Sequence, residues 1–146
     1  MLGGLLAGKN IEEMKKIEEV GELLGLVFQI KDNELSIFAS EEELGKKVGI
    51  DIIENKKTHY RELLYQKSSI EEKEFLNKTF GDENLTFDSI MKVREMMINK
   101  GVREELQNKM NDIVIKSKNI LTDIEFNPNS KEVLISFMDY LLYRTK

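Results

Sequence analysis

Apolar residues recur every three or four positions along most of the chain, which is the spacing that gathers them on one face of an α-helix. The longest such stretch predicts one helix from about residue 10 to residue 38, about 42 Å long at 1.5 Å per residue. Asn10 is placed to cap its start, with Glu13 as the reciprocal partner. The residues that form this stripe are Ile11, Met14, Ile17, Gly21, Leu24, Phe28 and Leu35.

The remainder of the chain predicts a series of shorter amphipathic helices. They are expected at Thr58–Gln66, from Ser69 to Gly81, from Thr86 or Asp88 to Gly101, at Val102–Phe126, and over a last segment with Val133, Leu134, Phe137, Met138, Leu141 and Leu142 on one face. Asn127, Pro128 and Asn129 interrupt the pattern before that last segment. The prediction is an all-α helical bundle, with residues 1–146 as one domain.

Composition supports this fold class and excludes several kinds of function. One proline and nine glycines are too few for the many tight turns of a β-sandwich or barrel. The absence of cysteine excludes disulfides, and the single histidine, His59, excludes a multi-histidine metal site. A net charge of −5 is not the basic footprint of a nucleic-acid-binding protein. No apolar run approaches the roughly 18 residues of a membrane span, so we expect a cytoplasmic protein.

A polar patch interrupts the apolar part of the long helix. Gln29, Asp32, Asn33 and Ser36 follow one another at helical spacing and therefore lie on one face, whereas Glu34 points elsewhere. All four carry an oxygen donor, and oxygen is the ligand that Mg²⁺ requires. These residues alone leave two interpretations open: one wall of a magnesium site, or a polar stripe on a solvated helix edge.

A basic loop follows this helix. Residues 45–67 hold six basic and three acidic side chains, although the whole chain is acidic. Lys46 and Lys56 lie near Gly45 and Gly49, and lysine is a compact charge that suits phosphate, while glycine lets backbone approach a ligand. The spacing fits a metal-bridged diphosphate, and it equally fits a solvated loop with ordinary surface lysines.

The two features together carry a resemblance to a known family. GELLGLVFQIKDNELS followed by GKKVGIDIIENKKT resembles the second half of a trans-type isoprenyl (polyprenyl) diphosphate synthase. That family has G-x-x-x-G-x-x-F-Q-x-x-D-D-x-x-D on a central helix, then G-K-x-x-G-x-D, then N-K-x-[ST]. The matching residues are Gly21, Gly25, Phe28, Gln29 and Asp32, then Gly45, Lys46, Gly49 and Asp51, then Asn55, Lys56 and Thr58. The ending VLISFMDYLLYRTK is similar to the family's last helix, so the resemblance covers nearly the whole chain.

The resemblance implies an all-α fold in which two aspartate-rich motifs face each other across a cavity and bind Mg²⁺ with an allylic diphosphate. Ionisation of that substrate, followed by attack of isopentenyl diphosphate, is the implied reaction. The resemblance implies that Asp32, Lys46 and Lys56 are catalytic groups, and that Gln29, Lys46 and Lys56 contact the diphosphate. It implies that Asp32 binds the metal with Asn33 as a weak ligand, and that Asp51 orients metal-bound water. It also implies that Gly21, Gly25 and Phe28 lie on the wall of the isoprenoid cavity.

Two departures from the family pattern change the expected function. Asn33 and Ser36 stand where the family has carboxylates, so only Asp32 of that motif keeps its charge. The family's first aspartate-rich motif, its basic residues for isopentenyl diphosphate and its Lys-Thr pair are not found, and MLGGLLAGKN resembles the segment just after that pair.

We therefore expect the C-terminal subunit of a split synthase, inactive until it pairs with a separate chain that carries the N-terminal helices. The apolar segment from Met1 to Ala7 would then pack inside the composite bundle, although a short helix packed on its own domain also fits it. The alternatives are a non-catalytic regulatory subunit of a prenyltransferase complex, or a truncated product.

Overall fold

All regular structure in the described part of the chain is helical. The computed structural model describes residues 2–38 and 49–145, apart from the side chains of Leu2 and Leu5. Its helices are α1 (Leu2–Leu6), α2 (Ile11–Phe38), α3 (Ile50–Ile53), α4 (His59–Lys67), α5 (Ile70–Thr79), α6 (Phe87–Asn99), α7 (Val102–Thr122) and α8 (Pro128–Tyr143). The all-α prediction is confirmed, and none of these helices is both long and apolar enough to span a membrane.

Local side-chain caps explain why the helices start where the sequence predicts. The backbone N–H of Glu13 donates to the Asn10 side chain at 2.9 Å, so Asn10 caps α2. Ser69 and Glu72 form a complete capping box at the start of α5. Thr86 accepts a hydrogen bond from the N–H of Ser89, which identifies Thr86 as the cap of α6.

The end of α7 and the start of α8 differ from the predicted boundaries. The helix stops at Thr122 rather than near Phe126, and its last turn tightens, because the N–H of Asp123 donates to the carbonyl of Ile120. The predicted helix breaker instead opens the next helix. Asn127 caps α8, and Pro128 occupies the first turn, where a missing N–H removes no intrahelical bond.

The chain divides into two compact units. Unit 1 comprises residues 1–29 and 109–144, and unit 2 comprises residues 30–108 and 145–146. This division does not test whether the units fold independently, so the single domain over 1–146 stays a prediction.

Unit 1 is built from the first part of α2, the second part of α7, and α8. Its buried apolar residues are Met14, Val20, Val27, Met110, Ile113, Val114, Leu121, Ile124, Met138 and Leu141. Ion pairs border this core: Glu19 with Lys116 at 2.7 Å joins α2 to α7, and Lys118 with Asp139 at 2.6 Å joins α7 to α8.

Unit 2 holds the end of α2, helices α3 to α6 and the start of α7. Its buried apolar residues are Ile30, Ile37, Ile52, Tyr60, Leu64, Leu76, Phe80, Ile90, Val93, Met97, Val102 and Leu106. Gly49 precedes α3 with φ of 79°, a left-handed conformation, and a Cβ there would lie 2.7 Å from Cδ1 of Ile90. Glycine is therefore required at this position both by conformation and by space.

The stripe predicted for α2 is only partly the buried face. Gly21 and Phe28 are exposed, whereas Val20, Val27 and Ile30 are buried on another side of the helix. The spacing predicted which residues share a face and did not decide which face is covered, because apolar residues occupy several sides of α2 between Val20 and Ile30.

Candidate functional site

In the polar patch of α2 the predicted metal ligand is exposed, whereas the last residue of the patch is buried. Asp32 is exposed and Asn33 is partly buried. Ser36 is buried, and its Oγ has no hydrogen-bond partner in the described part of the chain. Gln29 is also exposed, on the part of α2 that belongs to unit 1. Asp32 is therefore the charged group that this patch presents to solvent.

Glu34 is the second acid of this stretch, and it serves a different purpose. Its buried carboxylate accepts hydrogen bonds from Lys31 at 3.0 Å, Arg103 at 3.1 Å and Gln107 at 2.6 Å. Burial raises the pKa of Glu34, but these donors outweigh burial and hold the pKa below its ordinary value of 4.5. Glu34 thus fastens α2 to α7 within unit 2, and it does not replace the carboxylates that the motif has lost.

Asp51 and Lys56 are brought together in unit 2. Nζ of Lys56 lies 2.8 Å from Oδ1 of Asp51, which is buried, and 2.8 Å from Oε2 of Glu54. The hydrogen bonds to Asp51 and then to Glu54 raise the pKa of Lys56, so its ammonium group keeps its charge. The contact with Glu54 was not predicted from the sequence, although Glu54 lies only two residues before Lys56.

The backbone around Lys56 is held by its neighbours. Asn55 adopts a left-handed conformation with φ of 54°. The Asn55 carbonyl accepts a hydrogen bond from Arg61 at 3.3 Å, and the buried Thr58 caps α4 by accepting from the N–H of Arg61 at 3.2 Å. Asn55 and Thr58 therefore have local structural roles that position the lysine between them.

A cleft beside α4 was not predicted from the sequence. It has a volume of about 350 Å³ and is lined by Lys57, Thr58, Arg61, Glu62 and Tyr65. The guanidinium of Arg61 stacks over the rings of Tyr65 and Phe80, at 5.2 and 4.9 Å from their centroids. This arginine is thus occupied with aromatic contacts and with the carbonyl of Asn55.

The residues predicted for an isoprenoid cavity lie on an open face of α2. A Cβ built on Gly21 or Gly25 meets no atom of the described residues within 4 Å. Phe28 is exposed, and the guanidinium of Arg144 lies 4.5 Å from its ring centroid. Neither glycine is therefore explained by a close helix contact in this part of the chain. Lys46 lies outside the described residues, as do Ser40 and Glu43, whose spacing in the sequence predicts a helix cap.

The donors near Asp32 fit only part of a magnesium coordination shell. Over residues 2–38 and 49–145, no group of three or more histidine, aspartate or glutamate side chains is arranged to hold a metal ion. Mg²⁺ prefers octahedral oxygen coordination and is usually held by one or two carboxylates together with phosphates and waters. Asp32 supplies one carboxylate and Asn33 one amide oxygen, so a diphosphate, water and another polypeptide segment would have to supply the remaining ligands.

Comparison with known proteins places these features in a family. Residues 1–97 match the family model described as polyprenyl synthetase. The chain is 31% identical over 144 residues to a short chain isoprenyl diphosphate synthase of Methanothermobacter thermautotrophicus, covering 97% of this chain and 43% of that one.

Solved structures agree with this match. A polyprenyl synthase from Caulobacter crescentus, complexed with calcium and isoprenyl diphosphate, has a TM-score of 0.84 at 28% identity, covering 99% of this chain and 44% of the other. A geranylgeranyl pyrophosphate synthase from Corynebacterium glutamicum, complexed with isoprenyl diphosphate and magnesium, has a TM-score of 0.87 over 98% of this chain and 41% of the other; at 23% identity it shows the shared fold. The chain thus spans about two-fifths of the length of these relatives.

Proposed function

The chain belongs to the polyprenyl synthetase family, and from that premise we propose that it is the C-terminal subunit of a split isoprenyl diphosphate synthase. It pairs with a second chain that carries the N-terminal helices, and the complex condenses an allylic diphosphate with isopentenyl diphosphate. The isolated subunit is inactive. The cytoplasmic location expected from the sequence belongs to the same proposal.

The observation that carries this proposal is the unequal coverage in the comparisons. The alignments use 97–99% of this chain but only 43–44% of the Methanothermobacter and Caulobacter synthases. The given chain therefore matches part of a synthase and spans less than half of its length. Because the reaction requires ionisation of one diphosphate beside a second one, a site with a single aspartate motif is incomplete.

The roles that we propose for the described site residues rest on their surroundings. Asp32, with Asn33 as a weaker ligand, would hold Mg²⁺, which when bound would supply positive charge to stabilise a leaving diphosphate. Lys56 has three N–H donors, of which Asp51 and Glu54 accept two, so one donor is left for a phosphate oxygen. Lys46 and Gln29 are further diphosphate contacts that the family resemblance implies.

The open face of α2 suits the hydrocarbon part of the substrate. Gly21 and Gly25 leave room beside the exposed ring of Phe28. In the complete enzyme this face forms one wall of the isoprenoid cavity. Asp51, which holds Lys56 in unit 2, would orient metal-bound water.

A specific observation also favours the alternative, a non-catalytic regulatory subunit. Glu34 is engaged by Lys31, Arg103 and Gln107, and Ser36 is buried, so Asp32 remains the single exposed carboxylate of its motif. A subunit whose motif offers only one carboxylate as a metal ligand would bind an active synthase and adjust its product length.

The test compares the two readings in one complex. The chain is tagged in its source cell, the complex is purified, and incorporation of labelled isopentenyl diphosphate is measured with Mg²⁺ and an allylic diphosphate. Asp32→Ala should reduce turnover at least about a hundredfold if Asp32 acts at the metal. Asp112→Ala, which removes an exposed carboxylate from α7, is the matched control. Unchanged turnover in Asp32→Ala would support the regulatory subunit, and a complex without any product would contradict both.

A further inference from the structure

The apolar face of α8 is only partly covered by this chain. Met138 and Leu141 are buried, as the predicted stripe requires. Val133 and Phe137 belong to the same predicted stripe, yet they are 68% and 48% exposed, and the neighbouring Tyr140 is 57% exposed. The face is therefore wider than the core of unit 1 against which α8 packs.

These exposed side chains form one continuous line. Val133, Phe137 and Tyr140 are spaced at i, i+4 and i+7, which places them on one side of α8 over about 10 Å of helix. At the C-terminal end of α8 the chain passes close to α2. The guanidinium of Arg144 lies 4.5 Å from the ring centroid of Phe28 and donates to the Phe28 carbonyl at 3.5 Å. Phe28 is itself 45% exposed, and it extends the line onto α2.

We name Phe28, Val133, Phe137 and Tyr140 the α8 seam. Single exposed apolar residues are normal on protein surfaces, but a contiguous apolar line usually marks an interaction site. Ile115 illustrates the ordinary case: it is 58% exposed on α7 and shares the lining of a surface pocket mainly with polar residues, Asp112, Lys116, Asn119 and Asp123, besides Ile120. The α8 seam, with three aromatic rings among its four members, has the composition of an interface core instead.

We propose that the α8 seam is the surface on which the N-terminal half of the synthase docks. The inference rests on the proposed function, because it names where the complementary chain binds. Its support is the length of the relatives: they share this fold over 98–99% of this chain and carry more than half of their residues beyond it. Those additional residues are an available cover for this part of the fold, and the seam is a line of large apolar side chains that unit 1 leaves exposed.

The occupant is accordingly an amphipathic helix of the complementary chain. It would present apolar residues at i, i+3, i+4 and i+7 to the line formed by Val133, Phe137 and Tyr140. Burying the seam would also cover the ring of Phe28, which borders the open face of Gly21 and Gly25. Docking of the partner helix would then also close the side of α2 that faces the hydrocarbon part of the substrate.

The test measures pairing separately from turnover. Three tagged versions of the chain are expressed in its source cell: wild type, the double variant Phe137→Asp with Tyr140→Asp, and Ile115→Asp. The chain that co-purifies with each version is identified by mass spectrometry. Recovery of a chain that carries the N-terminal synthase half should fall at least about tenfold in the double variant and stay unchanged in Ile115→Asp. Circular dichroism of the purified variants should match wild type, because the substituted positions are exposed.

The outcomes distinguish this inference from the proposed function. Equal recovery of the partner with the double variant would overturn the seam as the docking surface, whatever the turnover. Recovery of only a second copy of this chain, lost in the double variant, would also overturn it, because the occupant would then be the chain itself. Pairing that depends on the seam in a complex without synthase activity would uphold the inference and contradict the proposed function.

Discussion

Nζ of Lys56 lies 2.8 Å from Oδ1 of Asp51, and this contact joins two residues that the family resemblance assigns to one site. Asp51 is buried, whereas the Lys56 side chain is about half exposed. A buried carboxylate thus holds the ammonium group of a lysine whose side chain is about half exposed to solvent. The pair is a positioned cation, which suits a diphosphate ligand better than a mobile surface lysine does.

Removing this lysine should affect turnover far more than stability. We expect Lys56→Ala to lower kcat/KM of the paired synthase about a hundredfold, because a cation is lost where diphosphate charge develops. The free energy of unfolding should fall by only about 1 kcal/mol, because the buried Asp51 carboxylate loses its lysine donor at a place that solvent can reach once the half-exposed side chain is removed. Lys57→Ala is the matched control, because Lys57 is the adjacent exposed lysine. Steady-state kinetics with equal losses for both variants would contradict a specific role for Lys56.

The Glu34 cluster should make stability depend on acid pH. The pKa of Glu34 is lowered in the folded chain, so its carboxylate stabilises the fold above the ordinary value of 4.5, and this contribution is lost as pH falls through the lowered pKa. Urea unfolding across this range should show a smaller loss of stability for Glu34→Gln than for wild type. Glu104→Gln, at an exposed position on α7, should behave as wild type.

Near neutral pH, removal of the Glu34 carboxylate should strongly destabilise the fold. Glu34→Ala leaves Lys31, Arg103 and Gln107 without their shared acceptor, and we expect a loss of about 3 kcal/mol in the free energy of unfolding. A loss below about 1 kcal/mol in urea unfolding would show that the three donors find other partners.

Alanine substitutions at Gly49 and Gly101 should distinguish the free-energy cost of backbone strain from the cost of a steric clash. Both have positive φ, but a Cβ on Gly101 meets no atom of the described residues within 4 Å, whereas one on Gly49 lies 2.7 Å from Ile90. Gly101→Ala should lose about 1 kcal/mol from strain alone. Gly49→Ala should lose about 3 kcal/mol because a clash with the core is added. Adding Ile90→Val should recover part of the loss in thermal or urea unfolding, and no recovery would contradict the clash.

The hydroxyl of Tyr60 should be dispensable. Tyr60 is fully buried, its hydroxyl has no hydrogen-bond partner within the described residues, and burial raises its pKa. Tyr60→Phe should therefore change the free energy of unfolding by between zero and about 1 kcal/mol in the stabilising direction. Tyr65→Phe is the contrasting variant, because the Tyr65 hydroxyl lies 3.0 Å from Oδ1 of Asn77 and its loss should be slightly destabilising. A destabilised Tyr60→Phe would indicate that the hydroxyl has a bound water or other partner.

The sequence allowed the helices and several of their caps to be predicted, because both depend on residues within one or two turns of each other. Asn10 with Glu13 and Ser69 with Glu72 are such local signals. The predicted site was harder to assess. Asp32, Asn33, Gln29 and Lys56 remain predictions in their catalytic roles, since a ligand site depends on groups that converge from distant parts of a fold.

The amino-acid sequence alone was enough to predict the all-α class and the order of the family motifs, because periodicity, capping and motif spacing depend on residues that are close together in the chain. Only the tertiary structure decided which faces are covered and which charges are paired. Phe28 and Phe137 look like core residues in the helical pattern and yet are exposed. Glu34 looks like a surface acid and yet is buried against Arg103, 69 residues later in the chain. Burial and ion pairing depend on the distances between helices, and those distances are set only when the helices pack together.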